Sequence, residues 1–542
     1  MKKTTINYKH LAIVAAAAVL PLLPFLDKAF HIDDPLFLWT AKQILKEPMD
    51  FYGFTGNWFG LNDPAYVFIK NPPLASYYIA LVALFAGFGE TSVHAAFLVP
   101  ALATAVGTYV LAQRLTDRPL IAALASIATP GFLVSSSTVM CDVMMLAFWV
   151  WAVVFWMKGL EEDRPLYLAL GGFLVALASL TKYFGISLIP LLALYSVLKG
   201  RNGIKSCLFL LIPIAALAGY QFYTESLYGR GLLLDASSYA TGFRKKTGAG
   251  ALEKTFVGVV FAGGSVITAL FFLPSVWGLR ASLSGGVLAA SGAAYAWWKG
   301  VFEAIDIFSF GFTWGYMAQL ALYWAAGAGI IALVIGDLVK KRSAESALLA
   351  LWVAGTFFFA VYVNWTINAR SILPMAPAVA ILIMRAAEGA RPGMARLYVP
   401  IALSFVISFG AAWADFSHAQ SARATAHGVS ERLREDGRTI WFRGHWGFQY
   451  YMEGLGARPF DFEARISPGE FIIVPDNNTG KKRLSDSFHL VDEIRVPPRP
   501  LSTMNHACGA GFYSSLWGPL PFVFHPDCSE GYRIYLKGQQ AG

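Results

Sequence analysis

The chain has 542 residues, of which 56% are apolar and 14% charged, and its mean hydropathy is +0.51. Soluble globular proteins carry roughly 25% charged residues, so this composition excludes an ordinary soluble protein. The net charge of +9 arises from short basic clusters between apolar stretches, an arrangement that orients membrane segments. We therefore expect an integral membrane protein without a nucleic-acid partner.

The first apolar run, residues 11–26, follows three lysines. It resembles a signal peptide in length, but no small-x-small cleavage site follows it, so we interpret it as an uncleaved first span. With the lysines on the cytoplasmic side, residues 27–71 form a long outer loop that contains Asp33 and Asp34.

The later apolar segments can cross a hydrocarbon core of about 30 Å as helices. They comprise residues 72–89, 95–113, 120–139, 143–157, 166–180, 184–198, 207–222, 256–273, 286–298, 316–338, 347–363, 372–384 and 397–413. Basic residues are expected on the cytoplasmic side, and successive spans cross the membrane in opposite directions. The basic residues fit this rule only if residues 72–89 lie along the membrane interface and do not cross the membrane. About 13 transmembrane helices are predicted, with the C-terminal tail outside, and no internal repeat is detected.

The tail, residues 416–542, predicts a small extracytoplasmic α/β domain that follows a transmembrane domain of residues 1–415. A helical pattern covers residues 419–434, whereas residues 438–442 and 471–475 are strand-like. Proline and glycine punctuate the remainder of the tail. The fold class is therefore an all-α polytopic membrane protein with a small soluble domain at its C-terminus.

The four cysteines show no CxxC or Cys/His spacing, so no zinc or redox motif is predicted. Cys141 and Cys207 lie in or beside apolar runs and are expected to pack there. Cys508 and Cys528 lie in the polar tail and are expected to form a disulfide if that tail is exported. His445, beside a tryptophan, is expected to be structural rather than part of a site.

Two acidic positions interrupt the apolar pattern. The pair Asp33 and Asp34 stands just beyond the first span, where carboxylates must face water, a metal ion or a reacting group because their burial is costly. The structural alternative is that Asp34 caps a helix that starts at Pro35. Asp142 is flanked by apolar residues and is expected at a membrane edge or in a wet cavity.

Four basic residues fall on the same predicted outer side. Lys182 interrupts an apolar stretch and is expected either to snorkel or to contact a lipid phosphate. Lys70 precedes a proline pair, and Arg370 stands at a membrane entrance. Arg244 belongs to a basic cluster in an outer loop, against the usual charge trend, which indicates an anionic ligand or simply a solvated loop.

Acids and cations on one face suit the displacement of a phosphate from the anomeric carbon of a sugar. A base takes the proton of the acceptor, and positive charge stabilises the leaving phosphate. A divalent ion (Mg, Mn or Zn) held by Asp33 and Asp142 could supply part of that charge. Membrane embedding is explained if the phosphate carries an isoprenoid tail.

The order of these motifs resembles the membrane glycosyltransferases of the C-type fold, specifically the group that contains protein O-mannosyltransferases and lipid A aminoarabinose transferases. The resemblance covers residues 1–413 and is strongest before Gly203. It implies a polyprenyl-phosphate sugar as donor and inverting transfer on the periplasmic face of a bacterial inner membrane. A lipid, a glycan or a protein could be the acceptor, and the surrounding membrane lipids are further partners.

Residue by residue, Asp33 resembles the catalytic base of this group and Asp34 the second acid of its pair. Asp142 resembles the acid of the second outer loop, whereas Lys182 and, more weakly, Arg370 resemble contacts to the donor phosphate. Two departures stand out. The pair is Asp-Asp where the group commonly has Asp-Glu, and Asn71 separates Lys70 from the proline pair, which leaves the role of Lys70 open.

Two further functions remain open at this point. A transporter or flippase of lipid-linked glycans would place charges along a path through the membrane, often with inverted repeats. A polymerase of surface polysaccharide would use lipid-diphosphate donors. Because the charged candidates gather on one face, the sequence favours a glycosyltransferase over a transporter.

Overall fold

A computed structural model of the chain describes residues 7–248, 250–298, 314–390, 392–434, 438–479 and 484–538. Helices dominate the first three quarters of the chain. In the N-terminal part they are α1 (Tyr8–Val19), α2 (Asp34–Lys46), α3 (Ala65–Phe68), α4 (Leu74–Ala86), α5 (Glu90–Leu115), α6 (Pro119–Ile127), α7 (Pro130–Ser136), α8 (Asp142–Glu162), α9 (Pro165–Thr181), α10 (Leu188–Leu198), α11 (Arg201–Ser206) and α12 (Leu211–Tyr228).

The second half of the chain continues with ten helices among its described residues. They are α13 (Leu232–Thr247), α14 (Ala251–Ser265), α15 (Thr268–Trp277), α16 (Leu279–Trp298), α17 (Trp314–Lys341), α18 (Ala344–Phe358), α19 (Ala369–Ile372), α20 (Ala376–Ala390), α21 (Ala395–Arg434) and α22 (Trp446–Gly454). Short 3₁₀ or π turns extend several of them, including Tyr183–Ser187 before α10 and Phe359–Val363 after α18.

Within the described residues, eight helices are long and apolar enough to cross a membrane, or up to ten if each of two bent pairs counts as one span. The shorter apolar helices are Leu74–Ala86, Pro165–Thr181 and Tyr183–Leu198. These helices make the chain an integral membrane protein and confirm the expected all-α polytopic class. The total of about 13 spans stays a prediction, because fewer helices than that are long and apolar enough to count as spans.

Two predicted spans are bent rather than straight. Residues 120–139 form α6 and α7, which meet at 63°, and residues 256–273 form α14 and α15, which meet at 84°. At the first bend the hydroxyl of Thr129 accepts a hydrogen bond from the amide of Phe132, and Pro130 opens the new helix. Each of these two predicted spans therefore consists of two helices at an angle.

Glycines let neighbouring helices of the membrane domain approach closely. A Cβ at Gly171 of α9 would lie 3.1 Å from the ring of Trp156 on α8, and one at Gly327 of α17 would collide with the carbonyl of Val259 on α14. Small residues at helix contacts are the usual means of close packing in membranes. The start of α8 and the end of α9 are thereby fixed side by side.

Among the described residues, two three-residue strands lie between α2 and α3, and the other strands lie in the C-terminal domain. They are β1 (Thr55–Asn57), β2 (Asn62–Pro64), β3 (Ile440–Phe442), β4 (Arg458–Pro459), β5 (Phe471–Pro475), β6 (Phe488–Ser502), β7 (Met504–Asn505), β8 (Ala510–Gly511) and β9 (Val523–Lys537). A mixed five-stranded sheet has the order β4-β3-β5-β9-β6, with β3 parallel to both β4 and β5. With α22, it confirms the predicted α/β domain and both predicted strands.

A disulfide lies within this domain, and helix α21 joins the domain to the membrane domain. Cys508 and Cys528 form the expected disulfide, with their Cα atoms 5.8 Å apart. Helix α21 runs unbroken for 40 residues, through the domain boundary predicted at residue 415. The predicted helix over residues 419–434 is therefore the end of the last long membrane helix, and the division at 415 lies inside one helix.

Candidate active site

Asp33 stands at the start of α2, directly after a residue with unusual backbone geometry. Ile32 has a φ of +47°, a left-handed conformation that is costly for a β-branched side chain, and it is 3% exposed. This turn places Asp33 at the edge of the membrane domain with its side chain 27% exposed. The Oδ2 atom of Asp33 accepts a hydrogen bond from Nη2 of Arg370 at 2.9 Å.

Arg370 joins two of the predicted acids. It lies in α19, where the side chain of Asn368 caps the helix by accepting from the amide of Ser371 at 2.8 Å. Its Nη1 atom is 3.4 Å from Oδ2 of Asp142, while Nη2 holds Asp33. A guanidinium has two separate faces of donors, so one buried arginine can orient both carboxylates.

Lys182 completes the set from the opposite side of Asp142. It follows the last turn of α9 in an extended conformation, and its Nζ atom lies 2.6 Å from Oδ1 of Asp142. Asp142, the first residue of α8, is 1% exposed at its side chain. Four predicted residues thus form one chain of alternating charge, in the order Asp33, Arg370, Asp142 and Lys182.

Asp34 turns away from this chain of charges. It is completely buried, and its two carboxylate oxygens accept from the amides of His31 and Val139 at 2.8 and 3.1 Å. Burial raises the pKa of Asp34 to about 7, although the charge of nearby Lys28 opposes the shift. Asp34 therefore connects the outer loop to the turn before α8.

Asp34 does not occupy the helix-cap position that the structural alternative gave it. Helix α2 begins at Asp34 itself, so Asp33 occupies the N-cap position, and no side-chain capping bond is made there. Pro35 lies in the first turn, as expected. The two adjacent acids are consequently different in kind, since Asp33 is accessible and Asp34 is sealed.

A cavity of about 760 Å³ opens beside this network. Its polar wall includes Asp33, Lys70, Asn71, Lys182, Arg244, Asn364, Asn368 and Arg370. Its apolar wall includes Phe184, Ile186, Leu191, Leu194, Leu233, Leu234, Phe358, Phe359 and Val363. Leu194 and Phe358 are 42% and 58% exposed on apolar helices, so the cavity reaches the surface that faces lipid.

The remaining predicted cations lie on the rim of the cavity beside α13. Lys70 forms an ion pair with Asp235, and its Nζ atom lies 5.4 Å from the ring centre of Tyr239. Arg244 donates to the carbonyls of Tyr362 and Val363. Every predicted basic residue therefore lines the same cavity, whereas of the three acids only Asp33 does.

The predicted metal ligands do not fit a divalent cation in this arrangement. Both carboxylate oxygens of Asp142 are engaged by cationic groups, Lys182 and Arg370, and Arg370 also holds Asp33. Within the described residues, the one group of three possible ligands that converges is Cys508, His525 and Cys528, and its two cysteines form the disulfide. The positive charge in the candidate site comes from Arg370 and Lys182.

A second ionic network, which the sequence did not reveal, lies behind the first. Lys28 and Asp415 form an ion pair at 2.5 Å with both side chains fully buried. Asp415 also accepts from the hydroxyls of Thr503 and Tyr513, each at 2.7 Å. The Nε2 atom of His31 lies 3.7 Å from Oδ1 of Asp415. Lys28 and Asp415 each follow an apolar run closely. This position is the sequence signal that could have indicated a structural role in addition to ending a span.

His445 lies apart from this site. Its ring stacks on Trp58 with centroids 5.0 Å apart, and its Nδ1 atom is 3.1 Å from Oε1 of Gln449. Burial lowers the pKa of His445 to about 4, so the ring is neutral at physiological pH. These contacts agree with the structural role that was expected.

Part of the chain matches a known protein family. Residues 70–221 match the family described as dolichyl-phosphate-mannose-protein mannosyltransferase. This match confirms the expected resemblance and supports the expected enzyme class, a glycosyltransferase. It begins at Lys70 and includes Asp142 and Lys182, whereas Asp33 and Arg370 fall outside it. No curated protein matches the whole sequence significantly.

Solved structures of similar shape include three glycosyltransferase systems. The oligosaccharyltransferase of Archaeoglobus fulgidus, tethered to an acceptor peptide, has a TM-score of 0.49 and 14% identity, with 84% of this chain and 64% of that chain covered. ArnT from Cupriavidus metallidurans bound to undecaprenyl phosphate has a TM-score of 0.42 and 14% identity, with 87% and 94% covered. The Pmt1-Pmt2 protein O-mannosyltransferase complex of S. cerevisiae, bound to its sugar donor, has a TM-score of 0.33 and 16% identity, with 42% and 34% covered.

Proposed function

We propose that the chain is an inverting glycosyltransferase that moves a sugar from a polyprenyl-phosphate donor to a lipid, glycan or protein acceptor on the periplasmic face. One observation carries this proposal. The charged network of Asp33, Arg370, Asp142 and Lys182 stands at the wall of a cavity whose other walls are apolar and reach the lipid-facing surface. Such a cavity suits a molecule with an anionic head and an isoprenoid tail.

In the proposed reaction, a hydroxyl of the acceptor attacks the anomeric carbon of the donor sugar. The new carbon–oxygen bond forms as the bond to the phosphate breaks, and the polyprenyl phosphate leaves with the bonding electrons. Asp33 is the acid that lines the cavity, so it takes the proton of the attacking hydroxyl. A single displacement of this kind inverts the anomeric configuration.

Arg370 and Lys182 stabilise the leaving phosphate in this scheme. Both line the cavity, and the side chains are only 10% and 14% exposed, so their charges act where water is scarce. Asp142 holds the two cations together and is itself screened from the cavity. Lys70 and Arg244, further along the rim, are placed to contact the phosphate or the sugar as the donor enters.

The experiment that tests the proposal compares wild-type protein with Asp33→Asn. Membranes containing each protein are incubated with labelled undecaprenyl-phosphate and dolichyl-phosphate sugars, and label is followed into protein, lipid A and polysaccharide. We expect transfer by the wild type and a loss of about 10²–10⁴-fold in kcat for Asp33→Asn at unchanged thermal stability. Full activity of Asp33→Asn would remove Asp33 as the base.

The same assay separates the proposed enzyme from the two alternatives. Labelled polyprenyl-diphosphate glycans are included as a second set of donors, because a polymerase would use them in preference to monophosphates. A flippase would move a labelled lipid across a proteoliposome membrane without forming a new glycosidic bond. The glycosyltransferase proposal requires bond formation from a monophosphate donor.

A further inference from the structure

A loop of the C-terminal domain reaches into the membrane domain beside Arg370. The loop lies between β8 and β9, and the disulfide between Cys508 and Cys528 links the chain segments at its base. Phe512 and Tyr513 are 0% and 2% exposed, although they belong to the soluble domain in sequence. Their burial shows that this loop is packed as part of the membrane domain.

Backbone hydrogen bonds attach the loop to the residues that directly precede Arg370. The amide of Ala369 donates to the carbonyl of Phe512, and the amide of Ser515 donates to the carbonyl of Ile367, both at 2.8 Å. The hydroxyls of Thr366 and Ser514 are 3.0 Å apart and add a side-chain contact. The turn that carries Arg370 is therefore held by the loop as well as by its own helix cap.

Tyr513 contacts the Arg370 side chain itself. The guanidinium carbon lies 5.3 Å from the centre of the Tyr513 ring, within the range of a cation–π contact. The hydroxyl of Tyr513 donates to Oδ2 of Asp415 at 2.7 Å, which anchors the ring at its far end. One tyrosine thus connects the sealed network of Lys28 and Asp415 to the network that lines the cavity.

We propose that Tyr513 is a positioning residue of the active site, whose ring holds the Arg370 guanidinium in the orientation that serves Asp33 and Asp142. The proposal rests on the function proposed above. It makes the C-terminal domain an integral part of the catalytic site. Tyr513 touches neither the sugar nor the phosphate, and acts only through Arg370.

Matched variants distinguish the effect of the Tyr513 ring from the effect of its hydroxyl. Tyr513→Phe keeps the ring against Arg370 and removes the bond to Asp415, which retains Thr503 and Lys28 as partners. Tyr513→Leu removes the ring as well. Tyr535→Leu, at a half-buried position of the sheet on β9, is the control for loss of a tyrosine ring from the same domain.

The measurement is kcat and KM on purified full-length protein in detergent, with the labelled polyprenyl-phosphate sugar that the wild type transfers, alongside the melting temperature. We expect Tyr513→Leu to lower kcat about tenfold or more with little change in KM, because a misaligned guanidinium weakens the transition state more than the bound donor. Tyr513→Phe and Tyr535→Leu should keep kcat within about threefold of the wild type.

Three results would overturn the inference. The first is a Tyr513→Leu protein with wild-type kcat, and the second is a Tyr513→Phe protein that loses as much kcat as Tyr513→Leu at an unchanged melting temperature. The third is a wild-type protein that transfers no sugar from any monophosphate donor, and this result alone also overturns the proposed function. If Tyr513→Leu fails to fold, kcat of Tyr513→Trp decides: retention within about threefold supports the ring contact, and a loss of about tenfold or more at wild-type stability contradicts it.

Discussion

Two ionic networks lie close together in this protein, and they differ in what surrounds them. The network of Asp33, Arg370, Asp142 and Lys182 opens on a cavity, and the side chain of Asp33 is 27% exposed. The network centred on Lys28 and Asp415 is fully buried, and hydroxyl groups satisfy the remaining carboxylate positions. Both are built from similar residues, but only the first can exchange a partner for a bound molecule.

This difference in exposure distinguishes charged residues that can react from charged residues that stabilise the fold. Asp415 accepts from a lysine and two hydroxyls and is fully buried, so a substrate cannot reach it. Arg370 and Lys182 are paired with carboxylates, yet both also face the cavity, where a phosphate can compete for them. Exposure to the cavity, rather than burial or charge alone, marks the candidate catalytic residues.

The largest effect should come from breaking the sealed network. Lys28→Met leaves the carboxylate of Asp415 buried without its ionic partner, which is expected to cost about 3–5 kcal/mol of stability. Thermal unfolding in detergent measures the loss. The control is Lys341→Met, which breaks an exposed ion pair with Glu388 and should cost less than about 1 kcal/mol. Equal losses in the two variants would contradict the assignment of Lys28 to a structural core.

A smaller effect on stability, but a clear one on rate, is expected at the open network. Lys182→Met removes one of the two charges proposed to stabilise the leaving phosphate, so kcat should fall by about 10²-fold. Arg370 still pairs with Asp142, so the melting temperature should change little. Lys199→Met, which breaks a partly exposed pair with Glu345, is the matched control and should retain activity. Wild-type kcat in Lys182→Met would exclude Lys182 from the reaction.

The smallest effect is a pH dependence of stability at Asp34, which lies between the two networks. Its pKa is raised to about 7 in the folded protein and returns to an ordinary value on unfolding, so protonation favours the folded state. The contribution of Asp34 to stability should therefore be greatest in mild acid and fall as pH rises, by about 1 kcal/mol between pH 6 and pH 8.

Melting temperatures of wild-type and Asp34→Asn protein at a series of pH values test this expectation. The asparagine cannot titrate, so the stability of the wild type relative to the variant should fall by about 1 kcal/mol between pH 6 and pH 8. His31 and His445, whose pKa values burial lowers, favour the folded state as pH rises in both proteins, so their effect cancels in this comparison. An identical pH profile for both proteins would show that the Asp34 carboxyl does not titrate there.

The sequence predicted the open network because each of its residues breaks a local pattern. Asp142 and Lys182 interrupt apolar runs, and Asp33 follows the first span directly, so charge in an unexpected place was the signal. Their convergence could not be read from the sequence, since Asp33 and Arg370 are 337 residues apart. The resemblance to known glycosyltransferases supplied the order of motifs but no contact.

The sealed network escaped prediction for a physical reason. Lys28 and Asp415 were each explained adequately as charges at membrane edges, and nothing local indicates that they meet across 387 residues. Tyr513 was one of many aromatic residues in the tail. The bend at Thr129 and Pro130 carried a local signal, a helix cap followed by proline, and the glycine pair Gly263 and Gly264 precedes the bend between α14 and α15.

Helix α21 has a consequence for the whole molecule. Its 40 residues extend about 60 Å, roughly twice the thickness of the hydrocarbon core, so it acts as a rigid spacer that fixes both the height and the rotational phase of the C-terminal domain. Insertion of one residue after Asp415 would turn everything beyond it by about 100°. Grafting the domain onto a related membrane core therefore requires that the number of residues in this helix be conserved.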